Sequence, residues 1–177
     1  MPGQIALVGG DEFRIGCEEM DQKIMSASGR FPARVLVVPT AAVTGPAKAA
    51  NDGTTYFAAL GGESSRLMLL EKEHAEDPSF FAPVTEADVV YFTGGNPESL
   101  FDTLNDSKFL HALLAASDKG TVLAGSSAGA MVMGNMMHRP RLGGWVEALS
   151  VVPGIAVLPH HEPVSYTHLT LPTILLV

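Results

Sequence analysis

Five short apolar runs, each closed by small or turn-forming residues and followed by a helical pattern, constrain this chain more than any other feature. They are IALVG (5–9), RVLVVPT (34–40), RLMLL (66–70), DVVYFTGG (88–95) and TVLAGSS (121–127). A strand with one wet face alternates apolar and polar residues, whereas a strand covered on both faces is apolar at nearly every position. Runs of the second kind, alternating with helices, predict a mostly parallel sheet with helices on both faces: a doubly wound, three-layer α/β fold of the flavodoxin-like kind. At 177 residues the chain has the length of one domain, so 1–177 reads as a single unit. It carries no internal repeat and no low-complexity segment.

The helices bring their own punctuation. Asp11 is placed to cap a helix whose apolar face is Phe13, Cys17, Met20 and Ile24. Asn96, Pro97 and Glu98 read as cap, first-turn proline and first-turn acid, with Leu100, Phe101 and Leu104 facing inward. Ser107 caps a further helix through Phe109, Leu110, Leu113 and Leu114 that ends near Gly120. The single cysteine, Cys17, falls in step with that first apolar face, which gives it a packing role and leaves no internal disulfide.

In open α/β sheets ligands bind at the carboxyl ends of the strands. Four stretches therefore line the expected crevice: GGDEF (9–13), PTAAVTG (39–45), TGGNPESL (93–100) and GSSAGA (125–130). The last holds Gly125, Ser127 and Gly129 as G-x-S-x-G directly after an expected strand, the context of a nucleophile elbow. A tight strand-to-helix turn without chemistry would also use such small residues. If the elbow is real, Ser127 is the nucleophile and the Ala128 N–H, opening a helix, is the first oxyanion donor.

A serine hydroxyl needs a base within hydrogen-bond reach. PGIAVLPHHEP (153–163) is apolar from Ile155 to Leu158, an expected strand, and then delivers His160 and His161. A metal site built on His160, His161 and Glu162 would need further ligands at suitable spacing, and none is evident. Gly94 and Gly95 complete neither a P-loop nor a G-x-G-x-x-G, and Asp11 and Glu12 would repel phosphate. They serve better to bring backbone close to a substrate carbonyl, with an amide as the second oxyanion donor. No metal and no organic cofactor is expected.

A net charge of −8, with eleven Lys and Arg scattered along the chain, disfavours nucleic acid or an anionic membrane surface as a partner. The opening MPGQIALVGG lacks a basic start followed by a long apolar core, and no apolar run reaches membrane-spanning length, so a cytoplasmic location is expected.

With LVGGDE at the start, FTGGN before a helix, GSSAGAMVM at the elbow and LPHHE for the histidine, the sequence resembles the peptidase E and cyanophycinase family of serine peptidases. The likeness runs from the first strand to Glu162. It implies a fold similar to class I glutamine amidotransferase domains, with serine where those enzymes carry cysteine. It further implies Ser127 as nucleophile, His160 as general base, and Gly95 and Ala128 as oxyanion donors. His161 stands where the family often has an aromatic residue.

The implied reaction is hydrolysis of small peptides or isopeptides, aspartyl dipeptides or cyanophycin-like substrates, through an acyl-enzyme. Gly94, Asn96, Arg139 and Arg141 are the candidates to bind substrate, the two arginines through a carboxylate. A homodimer is compatible with this reading. The family continues past its histidine to a carboxylate that orients the base, whereas the tail SYTHLTLPTILLV looks unlike that continuation. The stretch from about residue 165 is therefore expected to be truncated or non-native, or else LTLPTILLV is an edge strand limited by Pro172. The triad acid stays open between Glu162, close to His160 in sequence, and Glu147, which needs its loop to fold back. Two rival readings remain: a serine esterase, although only fifty residues follow Ser127, and a binding domain that keeps the fold without the chemistry.

Overall fold

The computed structural model describes residues 3–139 and 143–160, and the backbone of 174–176. The strands are β1 (Ile5–Val8), β2 (Arg34–Val38), β3 (Glu63–Arg66), β4 (Val89–Phe92), β5 (Val122–Ser126), β6 (Met136–His138), β7 (Trp145–Glu147) and β8 (Ile174–Leu176). The helices are α1 (Glu18–Ala27), α2 (Pro46–Ala59), α3 (Ala82–Glu86), α4 (Pro97–Leu104), α5 (Lys108–Asp118) and α6 (Ala128–Met133). One sheet runs in the order β3-β2-β4-β5-β1-β8. Its first five strands are parallel, and β8 joins β1 in antiparallel sense. A separate hairpin pairs β6 with β7.

Alternation along the strands sorts the core into two layers. Ala6, Val8, Val35, Val37, Val89, Tyr91, Val122 and Ala124 pack with Met20, Ile24 and Phe57 of α1 and α2. Leu7, Leu36, Val38, Val90, Phe92 and Leu123 turn to the opposite face, toward α3, α4, α5 and α6. Both faces of the central strands are buried, which is why these segments read as unbroken apolar runs. The expected doubly wound, three-layer α/β fold is what the chain adopts.

Two expected caps are present in full. The Asn96 side chain accepts from the N–H groups of Glu98 and Ser99 at 2.9 and 3.2 Å, and the Ser107 hydroxyl accepts from Leu110 N–H at 3.1 Å. Leu100, Leu104, Phe109 and Leu113 are buried behind them.

Three expectations need correction. The third strand is β3, Glu63–Arg66, at one edge of the sheet, and not the apolar RLMLL at 66–70. An edge strand pairs on one side only and tolerates the polar sequence ESSR. Leu67 and Leu69 are instead buried just beyond it, with Leu67 N–H donating to Val37 O at 2.9 Å. Second, Asp11 caps no helix. Gly10, Asp11, Phe13 and Gly16 all have positive φ, which a right-handed helix excludes, so α1 begins only at Glu18. Phe13 leaves that helix face and packs its ring 5.5 Å from those of Tyr56 and Tyr91. Cys17 keeps its packing role, 2% exposed, with Sγ donating to Asp11 O at 3.1 Å. Third, Ile155–Leu158 forms no strand and makes a single bridge, Ala156 to Met136.

Asp21 is a polar exception in the first layer. It is fully buried on α1, where its carboxylate accepts from the Tyr56 hydroxyl at 2.9 Å. Burial pushes its pKa up to about 6, the Tyr56 bond opposes the rise, and the charges of Glu12 and Glu18 add to it. An acid whose folded pKa lies above its unfolded value binds more protons when folded, so its contribution to stability is complete below about pH 4 and is lost as pH rises through about 6. The difference corresponds to about 3 kcal/mol at pH 7. Asp21→Asn is expected to remove that fall in stability between pH 4 and 7, measured by urea unfolding across the range.

Candidate active site

The carboxyl ends of β1, β4 and β5 meet at one turn. β5 ends at Ser126, α6 begins at Ala128, and Ser127 between them has φ 48° and ψ −107°, a conformation costly for any residue with a side chain. The Ser127 N–H is held by Val8 O at 3.0 Å, and its carbonyl accepts from Met131 N–H at 2.9 Å. The flanking glycines make the turn sterically possible. A Cβ on Gly125 would lie 2.4 Å from the Gly129 carbonyl carbon, and one on Gly129 would lie 2.5 Å from Phe92 O. The spacing of the motif therefore reflects α6 starting directly against β5 and β4, with Ala128 to Met133 all buried.

His160 reaches this turn from far along the chain. Its Nε2 lies 2.8 Å from Ser127 Oγ. With no strand to carry it, the residue is fixed by its own N–H donating to Gly9 O at 2.9 Å. The ring lies over Gly10, where a Cβ would come within 2.4 Å of Cε1. Gly9 and Gly10 thus seat the histidine.

The TGGN turn after β4 forms the next wall. Gly95 has φ +141°, and a Cβ there would stand 2.0 Å from Ala41 O, so only glycine fits. The N–H groups of Gly95 and Ala128 donate to no acceptor among the described residues. Gly94 N–H donates to both oxygens of Glu12 at 2.9 Å. The Asn96 side-chain oxygen is engaged in capping α4. Arg139 faces Glu98, Nε to Oε1 3.8 Å. Glu147 lies exposed on β7. Arg141, His161 and Glu162 lie outside the described residues, as does Pro172.

A cleft of ≈ 830 Å³ opens over Ser127 and His160, walled by Glu12, Phe13, Gly94, Gly95 and Tyr56. A smaller one of ≈ 220 Å³, between Ala41–Thr44 and Gly95–Glu98, shares Gly95 with it. Among the described residues no cluster of three or more His, Cys, Asp or Glu is placed to hold a metal ion. All four expected crevice stretches reach these cavities.

Glu12 is the site residue that sequence reasoning passed over. Burial pushes its pKa up, while the Ser126 hydroxyl, the Gly94 N–H and the charge of His160 draw it down. The available signal was its place in the turn after β1, inside a stretch already assigned to the crevice.

Two substitutions separate the fold of the turn from its reactivity. Gly125→Ala is expected to cost about 1–3 kcal/mol of unfolding free energy, because its methyl group meets backbone that cannot move aside. Gly10→Ala is expected to slow the reaction of Ser127 with a fluorophosphonate more than tenfold by displacing the His160 ring, compared at a temperature where circular dichroism shows both proteins folded.

A family model described as Peptidase family S51 matches residues 5–168. The cyanophycinase of Trichormus variabilis is 27% identical over 135 residues, covering 75% of this chain and 45% of that protein. A Bacillus subtilis protein named uncharacterized peptidase YgaJ is 31% identical over 137 residues, covering 72% of this chain and 55% of that one. The chain thus spans about half the length of the curated relatives it matches. The crystal structure of a peptidase from an acI-B1 Actinobacterium superposes with a TM-score of 0.81 at 30% identity, over 90% of this chain and 69% of that one. The family match runs from β1 through Ser127 to beyond His160, nearly the whole chain: the chain belongs to peptidase family S51.

Proposed function

We propose that this chain is a serine peptidase that hydrolyses small peptides or isopeptides through an acyl-enzyme formed on Ser127. The observation that carries the reading is the 2.8 Å contact between Ser127 Oγ and His160 Nε2 at a strained turn. Kinship with cyanophycinases and peptidases supports the reaction class.

In this mechanism His160 Nε2 takes the hydroxyl proton as Ser127 Oγ bonds to the substrate carbonyl carbon. Charge moves to the carbonyl oxygen, where the N–H groups of Gly95 and Ala128 are available to receive it. The imidazolium returns the proton to the amine nitrogen as the C–N bond breaks. A water then attacks the ester, giving its proton to His160, and the acid leaves as Ser127 recovers its own. Among the described residues no carboxylate accepts from His160 Nδ1. Aspartyl dipeptides and β-aspartyl isopeptides are the substrates to try first, with Arg139 and Arg141 as candidates to meet a carboxylate.

Fluorophosphonate labelling followed by intact mass tests the reading directly. One adduct is expected on the folded chain, absent from Ser127→Ala and greatly slowed in His160→Ala. Peptide turnover is expected to fall by about 10⁴-fold or more in either variant. A folded chain that takes no label, or labelling that survives Ser127→Ala, would overturn it.

A further inference from the structure

Glu12 has no part in the exchange between Ser127 and His160, yet it stands beside both. A Cβ on Gly94 would lie 3.0 Å from Glu12 Oε2 and 3.3 Å from Ser127 Cβ, so carboxylate and nucleophile flank a single point. The other charged side chains along the cleft are matched: Asp11 faces Arg14 at 3.7 Å, and Lys48 pairs with Asp52. Among the described residues Glu12 has no lysine or arginine partner. It is partly buried, and its oxygens are met by the Gly94 N–H. The Ser126 hydroxyl lies beside it without reaching hydrogen-bond geometry. A carboxylate that has given up much of its water for one N–H gains most from a cationic donor.

We infer that Glu12 is a specificity-determining residue of this cleft, its carboxylate receiving the free α-ammonium group of the residue whose carbonyl Ser127 attacks. The inference rests on the serine peptidase reading. Reach selects this group among the cations a peptide can bring. The attacked carbonyl carbon must come within about 3–3.5 Å of Ser127 Oγ. The α-nitrogen is two bonds from that carbon, whereas a guanidinium sits at the far end of a long side chain. A substrate with a blocked or extended amino end offers Glu12 a neutral amide and must pass more chain through the space beside it.

The test compares aspartyl-leucine with succinyl-leucine, which has the same skeleton without the amine, and reads leucine release. Wild-type kcat/KM is expected to favour the free amine by about tenfold or more, mostly through KM, and Glu12→Gln to bring the ratio close to one. A ratio unchanged in Glu12→Gln, including an equal loss on both substrates, would mean that Glu12 only braces the Gly94 turn and would overturn the inference. So would a wild-type enzyme indifferent to the amine. Calorimetric titration with aspartate and with succinate gives the same comparison without turnover, again on wild type and Glu12→Gln. Fluorophosphonate labelling run in parallel reports Ser127 separately, so an unreactive serine and a failed ammonium site give different results.

Discussion

Ser127 occupies a backbone conformation that a side-chain-bearing residue adopts only when its surroundings compel it, and the carboxyl edge of the sheet is arranged around that compulsion. The turn has no length to spare: β5 ends one residue before it and α6 starts one residue after it. Holding α6 this close requires glycine at 125 and 129, and it requires β1 alongside to supply the Val8 carbonyl. The sheet order follows the same need. Placing β5 between β4 and β1 brings the TGGN turn to one side of the serine and the GGDE turn to the other. Parallel pairing aligns all three carboxyl ends, so a cleft forms where no single segment could make one.

Buried polar atoms without a hydrogen-bond partner occur on both sides of the sheet: beside α4, Glu98 Oε1 and Arg139 Nε face each other at 3.8 Å. Asp21 Oδ1, Tyr91 Oη and Ser126 Oγ are buried without a hydrogen-bond partner among the described residues, all on the layer that carries α1 and α2. Each such atom costs about 1–3 kcal/mol relative to a paired one. Beside them Asp21 is pushed up to about 6, and Glu12 is raised as well. The opposite layer, with α4, α5 and α6, is more uniformly apolar, and two of its helices are closed by the side-chain caps of Asn96 and Ser107. The apolar packing of both layers thus offsets these polar costs and the strain at Ser127.

Much of this was legible in the residues. The central strands announced themselves because burial on both faces leaves no room for polar alternation, and Asn96 and Ser107 announced their helices because a cap is a local bond between neighbours. Ser127 was legible because a strand, two glycines and a serine in that spacing meet a local steric demand. The edge strand ESSR was not legible, since an exposed edge relaxes the demand for apolar residues. The start of α1 was misplaced because Phe13 and Cys17 share a helical spacing that the positive φ angles of Gly10, Asp11 and Gly16 break. Ile155–Leu158 has the composition of a strand and lacks a ladder to join beyond one bridge at Ala156.

The sequence by itself determined the layered α/β architecture, the position of the tight turn after β5 and the residue on it, because each follows from contacts among near neighbours or from burial on two faces. Only the tertiary structure decided what surrounds that serine. His160 is 33 residues away from Ser127, and Glu12 is 82 residues away from the Gly94 N–H it accepts. Their approach depends on the order in which strands pair, which side-chain pattern does not encode. Arg139 was open to substrate in the sequence and faces Glu98 in the fold. A side chain's chemistry is read from its type, but its partner is chosen by the sheet.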